Sequence, residues 1–108
     1  MADSFPARSR QVAPPHPGEV ISGALDDARI TRRQAAAAIG LSPTGLNKVL
    51  NAQGPVTAST ALRLAAYLGG SPDLWLRLQA EYDLWHERER LAAELAAIRP
   101  ASEQAQAA

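Results

Sequence analysis

The sequence predicts an all-α fold: five helices, the last of them extended. Three observations carry this. Apolar residues recur at three- and four-residue spacing from Val20 to Ile98, the period of an amphipathic helix. No stretch alternates apolar and polar residues with the period of a strand. Gly, Pro, Ser and Thr fall between the apolar stripes, where helices need stops and caps.

Residues 1–15 are polar, basic and proline-containing, and read as a disordered or extended N-terminal arm. His16–Pro17–Gly18–Glu19 starts the fold. Pro17 suits a first helical turn, and Val20, Ile21, Ala24, Leu25 and Ala28 form its stripe. The second helix runs from about Thr31 to Ile39, with Ala35, Ala36 and Ile39 as its apolar face. Gly40 stands where a helix must stop and the backbone needs positive φ. Ser42 then caps a third helix, Pro43 to Leu50, with Pro43 in its first turn. Leu46, Val49 and Leu50 face back toward the second helix, and the small Ala36 allows close approach.

Gly54 and Pro55 break the chain after Asn51. Thr57 or Ser59 opens a fourth helix, with Ala61, Leu62, Leu64, Ala65 and Leu68 on its buried side, and Gly69–Gly70 ends it. Ser71–Pro72–Asp73 combines a cap, a first-turn proline and a first-turn acid. The fifth helix carries Leu74, Trp75, Leu78, Tyr82 and Trp85, and a stripe of Leu84, Leu91, Leu95 and Ile98 extends it. The charged run 86–90 reads as a solvated helix face, with Arg90–Glu94 as an i,i+4 pair. The domain therefore spans 16–98, and 99–108 is a flexible tail.

The second and third helices form a helix-turn-helix, whose second helix can lie in a DNA major groove. Charge agrees with this. The chain has 11 basic and 11 acidic residues, yet no acid falls between Asp27 and Asp73. Arg29, Arg32, Arg33, Lys48 and Arg63 all lie in that span. A basic island on a neutral chain can hold phosphates and release their counterions.

Composition narrows the class. At 108 residues one small domain with flexible ends is expected. Hydrophobic residues are 46% and aromatics only 5%, so the core is largely Ala, Leu and Ile. That core is thin for a lone domain, which favours burial in an oligomer. The chain has no cysteine, which removes disulfides and thiolate metal sites and fits a cytoplasmic location. No apolar run is long enough for a membrane span, and the N-terminus has no signal-peptide core. His16 and His86 lie far apart without other ligands, so neither metal nor cofactor is expected. No catalytic constellation or phosphate-binding glycine loop stands out, and enzymatic activity is not expected.

Three segments carry a family resemblance: HPGEVI at 16–21, IGLSPTGLNKVLNAQGPVT at 39–57, and ALRLAAYLGGSPDLWLRLQAEYDLW at 61–85. Five helices with the motif at the second and third resemble the phage-repressor-like (XRE, Cro-like) domain. The flanking words, above all the last, resemble HigA-type antitoxins of toxin–antitoxin modules. The resemblance covers about His16 to Trp85. It implies a cytoplasmic homodimer that binds operator DNA to repress its own operon and neutralises a HigB-like toxin, a RelE-like ribonuclease that cleaves messenger RNA. Three positions depart from the family pattern. Pro43 replaces a usual basic residue, Gly45 sits inside the recognition helix, and Asn51–Ala52 stands for the usual Asn-Gly.

By that resemblance the DNA-binding residues are Arg32, Arg33, Ser42, Pro43, Thr44, Asn47, Lys48 and Asn51. Thr44, Asn47 and Lys48 share the one face of the third helix free of apolar side chains. Asn can pair with adenine, Lys can reach guanine, and a Thr methyl can touch thymine. Arg32 and Arg33 are suited to gripping the DNA backbone, and Ser42 with its helix N-terminus to holding a phosphate. Trp75, Leu78, Tyr82, Trp85, Leu91 and Leu95 are expected in core and dimer packing. The arm Phe5 to Pro15 and the acids Glu19, Asp26 and Asp27 are the expected toxin contacts. Two other readings are a stand-alone repressor of the same fold without a toxin, and a protein-only toxin inhibitor whose DNA affinity Pro43 and Gly45 have weakened.

Overall fold

A computed structural model describes residues 12–103. Among them the chain runs through α1 (Pro17–Asp27), α2 (Arg32–Ile39), α3 (Pro43–Leu50), α4 (Ala58–Leu68), α5 (Pro72–Arg90) and α6 (Ala92–Ala97), with no strand. The segment 1–11, most of the expected arm, lies outside the described residues, as does 104–108 of the expected tail. Pro14, placed in the arm by sequence, is already buried.

Each of α1 to α5 starts on a side-chain cap that satisfies an N–H the helix leaves free. The Thr31 hydroxyl accepts from the Gln34 N–H at 3.0 Å, and Gln34 Oε1 accepts from the Thr31 N–H at 2.8 Å, a capping box. Ser42 Oγ accepts from the Gly45 N–H at 3.0 Å. Thr57, not Ser59, caps α4, accepting from the Thr60 N–H at 3.3 Å. Ser71 caps α5. Gly40 closes α2 at φ 78, the left-handed conformation that glycine adopts without cost.

The core joins Ile21 and Leu25 of α1, Ala35, Ala36 and Ile39 of α2, and Leu46, Val49 and Leu50 of α3 to Val56, Ala61, Leu64 and Trp75. Three residues of the expected stripes are exposed instead: Val20 at 40%, Leu62 at 60% and Leu74 at 44%. Each is the sequence neighbour of a buried residue. Neighbours on a helix point about 100° apart, so both are buried only where a wide stripe is centred between them, and here the stripe's edge falls between the two. Ala28 is exposed as well, because the helix ends at Asp27.

The extended last helix is kinked. Leu91 (φ −100, ψ 10) separates α5 from α6. Its N–H still reaches the Glu87 carbonyl at 2.8 Å, and its own carbonyl accepts from the Leu95 N–H at 2.8 Å. Arg90 pairs back with Glu87 at 2.6 Å in place of the expected Glu94, and its hydrogen bond holds the Glu87 carboxyl below its usual range.

Two buried polar side chains pin the loop that follows α3. Gln79 Oε1 accepts from the Val56 N–H at 2.8 Å while its Nε2 donates to Asp83 at 3.0 Å. His16, the cap of α1, accepts the Gly18 N–H on Nδ1 at 2.9 Å and bonds the Gly54 backbone. Its ring meets Tyr82 edge-on, 4.9 Å between centroids. Burial pushes its pKa below the usual value, against the opposing pull of Asp83, the Gly54 backbone and Glu19. The unfolded chain therefore binds a proton that the folded chain refuses, starting near pH 6.5. Stability is full above that pH and falls as pH drops below it, by up to about 1.4 kcal/mol per pH unit. Urea melts at pH 7.5 and 5.5 should show the loss. His16→Asn, which keeps an acceptor for the Gly18 N–H, should flatten it; an equal loss in the variant would refute the assignment.

Candidate nucleic-acid interface

The α3 helix is two-sided by construction. Leu46, Val49 and Leu50 are buried, while Thr44, Asn47, Lys48 and the C-cap Asn51 are exposed. Thr44 and Lys48, like Asn47 and Asn51, are four residues apart and so stack on one side of the helix. Ser42 and Pro43 are exposed at its start. Ser42 Oγ is engaged by the Gly45 N–H, so the hydroxyl serves the helix first.

Gly45 carries no Cβ to crowd that cap: one built there would lie 3.1 Å from Ser42 Oγ. At the other end Ala52 adopts φ 60. The left-handed region costs a non-glycine residue roughly 1 kcal/mol or more. Its N–H bonds Val49 and the Gln53 N–H bonds Lys48, so two turn bonds offset the strain. The departures at Gly45 and Ala52 therefore leave the helix capped at both ends.

The structure divides the basic island. Arg63 donates to the Ile39 carbonyl at 2.6 Å, satisfying an orphan carbonyl at the end of α2; it belongs to the fold. Arg32, expected on the DNA backbone, is half-buried and turned inward. Its Nη1 donates to Asn47 Oδ1 at 3.1 Å and Asn51 Oδ1 at 3.0 Å, and its Nη2 to Ser22 Oγ at 3.3 Å. Arg29, Arg33 and Lys48 are exposed and form no ion pair among the described residues. Two arginines also occupy the first turn of α2, where no acid stands, although the positive end of a helix disfavours cations.

The residues expected in dimer packing separate. Trp75 is buried within the single chain and Leu78 packs against the same core, so Trp75 is unavailable to a partner. Tyr82 lies against His16 and His86. Trp85 and Leu91 are half-buried, while Leu84, Leu95 and Ile98 are exposed. Glu19, Asp26 and Asp27 lie on the exposed face of α1; Phe5 to Gln11 lie outside the described residues.

Sequence reasoning missed Gln79, Ser22 and the inward turn of Arg32. Only the pairing of polar residue types could have hinted at them, because partners 10 to 23 residues apart leave no periodic trace.

The Helix-turn-helix family matches residues 24–75. Virulence-associated protein I of Dichelobacter nodosus is 37% identical over 82 residues, 75% of this chain and 76% of that protein. Antitoxin HigA-1 of Vibrio cholerae serotype O1 is 36% identical over 76 residues, 70% of this chain and 71% of that protein. Among solved structures, the Pseudomonas aeruginosa antitoxin HigA with higBA promoter superposes with a TM-score of 0.76 at 29% identity, covering 81% of this chain and 97% of that one.

Proposed function

This chain belongs to the HigA-type family of XRE helix-turn-helix proteins, and we propose that it is the antitoxin of a toxin–antitoxin module. Those relatives whose names state a role are an antitoxin and an HTH-type transcriptional regulator. In this reading α3 enters the major groove of an operator upstream of the chain's own coding sequence. A homodimer reads two half-sites and represses the operon. The observation that carries the reading is the exposed polar face of α3, flanked by Arg33 and Lys48 in a span without acids. Phosphate contacts from such cations supply affinity, and base edges supply choice.

The partner in this reading is a HigB-like ribonuclease, working where messenger RNA is translated. The exposed acids of α1 suit its basic surface. Asp26 and Asp27 occupy the last turn of α1, which has no basic residue. Acids at that negative end cost a few tenths of a kcal/mol each, an expense the fold itself does not require. Charge complementarity there would speed association with the toxin.

The test is a gel shift on the chain's own promoter, with and without the adjacent toxin, beside a toxin-neutralisation assay. Wild-type protein should shift the promoter and restore growth. Changing Asp26 and Asp27 to Asn together should slow toxin association about tenfold at low salt while leaving the shift unchanged. Normal association by the variant would move the toxin to another face, and failure to shift the promoter would remove the DNA reading.

A further inference from the structure

We propose that Arg32 sets the base preference of α3 by holding the carbonyls of its two asparagines, so that both amides offer a groove their N–H donors. The inference rests on the reading above that α3 enters a major groove. It changes the expected role of Arg32 from gripping phosphate to positioning, and the expected target of Asn47 from adenine to guanine.

Arginine carries donors and no acceptor. A guanidinium beside an asparagine therefore dictates which end of the amide faces it. Arg32 Nη1 sits between Asn47 Oδ1 and Asn51 Oδ1, at 3.1 and 3.0 Å, so both carbonyls turn inward toward α2. Each Nδ2 is left on the outer side. The second nitrogen, Nη2, is anchored on Ser22 of α1 at 3.3 Å, so the planar group is fixed from three helices.

Bidentate reading of adenine needs the carbonyl and the amide nitrogen of one asparagine to face the same base edge, because adenine offers an acceptor at N7 and a donor at N6. With Oδ1 held by Arg32, Asn47 and Asn51 have Nδ2 as the amide atom left without a partner among the described residues, and the paired adenine geometry is disfavoured. Lys48, exposed beside them, adds three further donors. These amide and ammonium donors match guanine, whose N7 and O6 both accept. An independent observation agrees: Arg32 stands at the first position of α2, where the helix dipole disfavours a cation. Its charge falls instead at the C-terminal half of α3, between Asn47 and the C-cap Asn51, where the dipole favours it.

The experiment is selection of bound duplexes from a fully randomised library, using full-length wild type, Arg32→Met, Arg32→Lys and Arg33→Ala. Wild type should enrich guanine over adenine about tenfold or more at the positions facing Asn47 and Asn51. Arg32→Met releases both carbonyls, and the preference should fall to about twofold or turn to adenine. Arg32→Lys keeps the charge and guards against loss of fold. Its compact ammonium cannot hold two carbonyls and the Ser22 hydroxyl in one plane, so the preference should relax there too. Arg33→Ala should keep the wild-type preference and lose about one unit of salt slope. Adenine enriched by wild type, or guanine retained by both Arg32 variants, overturns the inference and leaves the DNA reading standing. If wild type enriches no sequence, the DNA reading fails and the inference fails with it.

Discussion

Replacing Gly18 with alanine is expected to cost about 3 kcal/mol, the upper range for a forced overpacking. Gly18 is buried where the first turn of α1 meets the end of α3. A Cβ built on it would fall inside contact distance of the Val49 backbone carbonyl and 3.0 Å from both Leu50 Cα and His16 Nδ1. Two of those three atoms are backbone of the recognition helix, so no side-chain rotation relieves the clash. The chain must instead push α1 from α3 or surrender the His16 cap. Gly23 lies five residues on, in the same helix, exposed and with nothing within 4 Å of a built Cβ. There the same substitution removes only glycine's entropic penalty, and stability should rise by about 0.5–1 kcal/mol. Thermal melts should separate the pair widely: Gly18→Ala down by roughly 10–20 °C, Gly23→Ala slightly up. A Gly18→Ala melt within a few degrees of wild type would mean that the two helices do not touch there.

Gly18 also shows what the sequence could and could not disclose. The helices were readable because most rest on local signals: a cap at Ser42 or Ser71, a first-turn proline at 17, 43 and 72, and an apolar period. Those signals sit within one element, and the structure keeps them. The polar side of α3 was readable too, as the complement of Leu46, Val49 and Leu50. What escaped was contact between elements. The word HPGEV marks a helix start by its proline, yet its glycine answers to Val49, far along the chain. Arg32 looked like any exposed cation because its partners, Asn47 and Asn51, looked like base readers in their own right. Trp75 was read as half core and half interface, since period alone cannot tell a stripe that meets its own domain from one that meets a second copy.

Leu84 and Leu95 lie on the proposed two-fold interface, and changing both to Glu should split the dimer and cost the operator about 100-fold or more in affinity. Both are exposed in the single chain, at 51% and 46%, with Ile98 beyond them at 64%. The kink at Leu91 keeps the hydrogen-bond ladder from α5 into α6, so the stripe continues along one side. A lone domain gains nothing from leucines held in water, whereas a two-fold partner would bury each of them twice. Glutamate is a good helix former, so the folded monomer should notice the change by no more than about 0.5 kcal/mol per site. Buried in a two-fold interface, the same substitutions place four unpaired charges against apolar neighbours, at several kcal/mol each even after relaxation. Light scattering at micromolar concentration should give twice the 11.5 kDa chain mass for wild type and the single mass for the variant. Each domain of a dimer reads one half-site, and joining two makes the second contact intramolecular, which multiplies affinity by about 10²–10⁴. Binding to a single half-site duplex should therefore survive in the variant while binding to the full operator falls. A wild-type monomer at that concentration would sink the idea at once, and a variant that stays dimeric would place the two-fold interface on some other face of the chain.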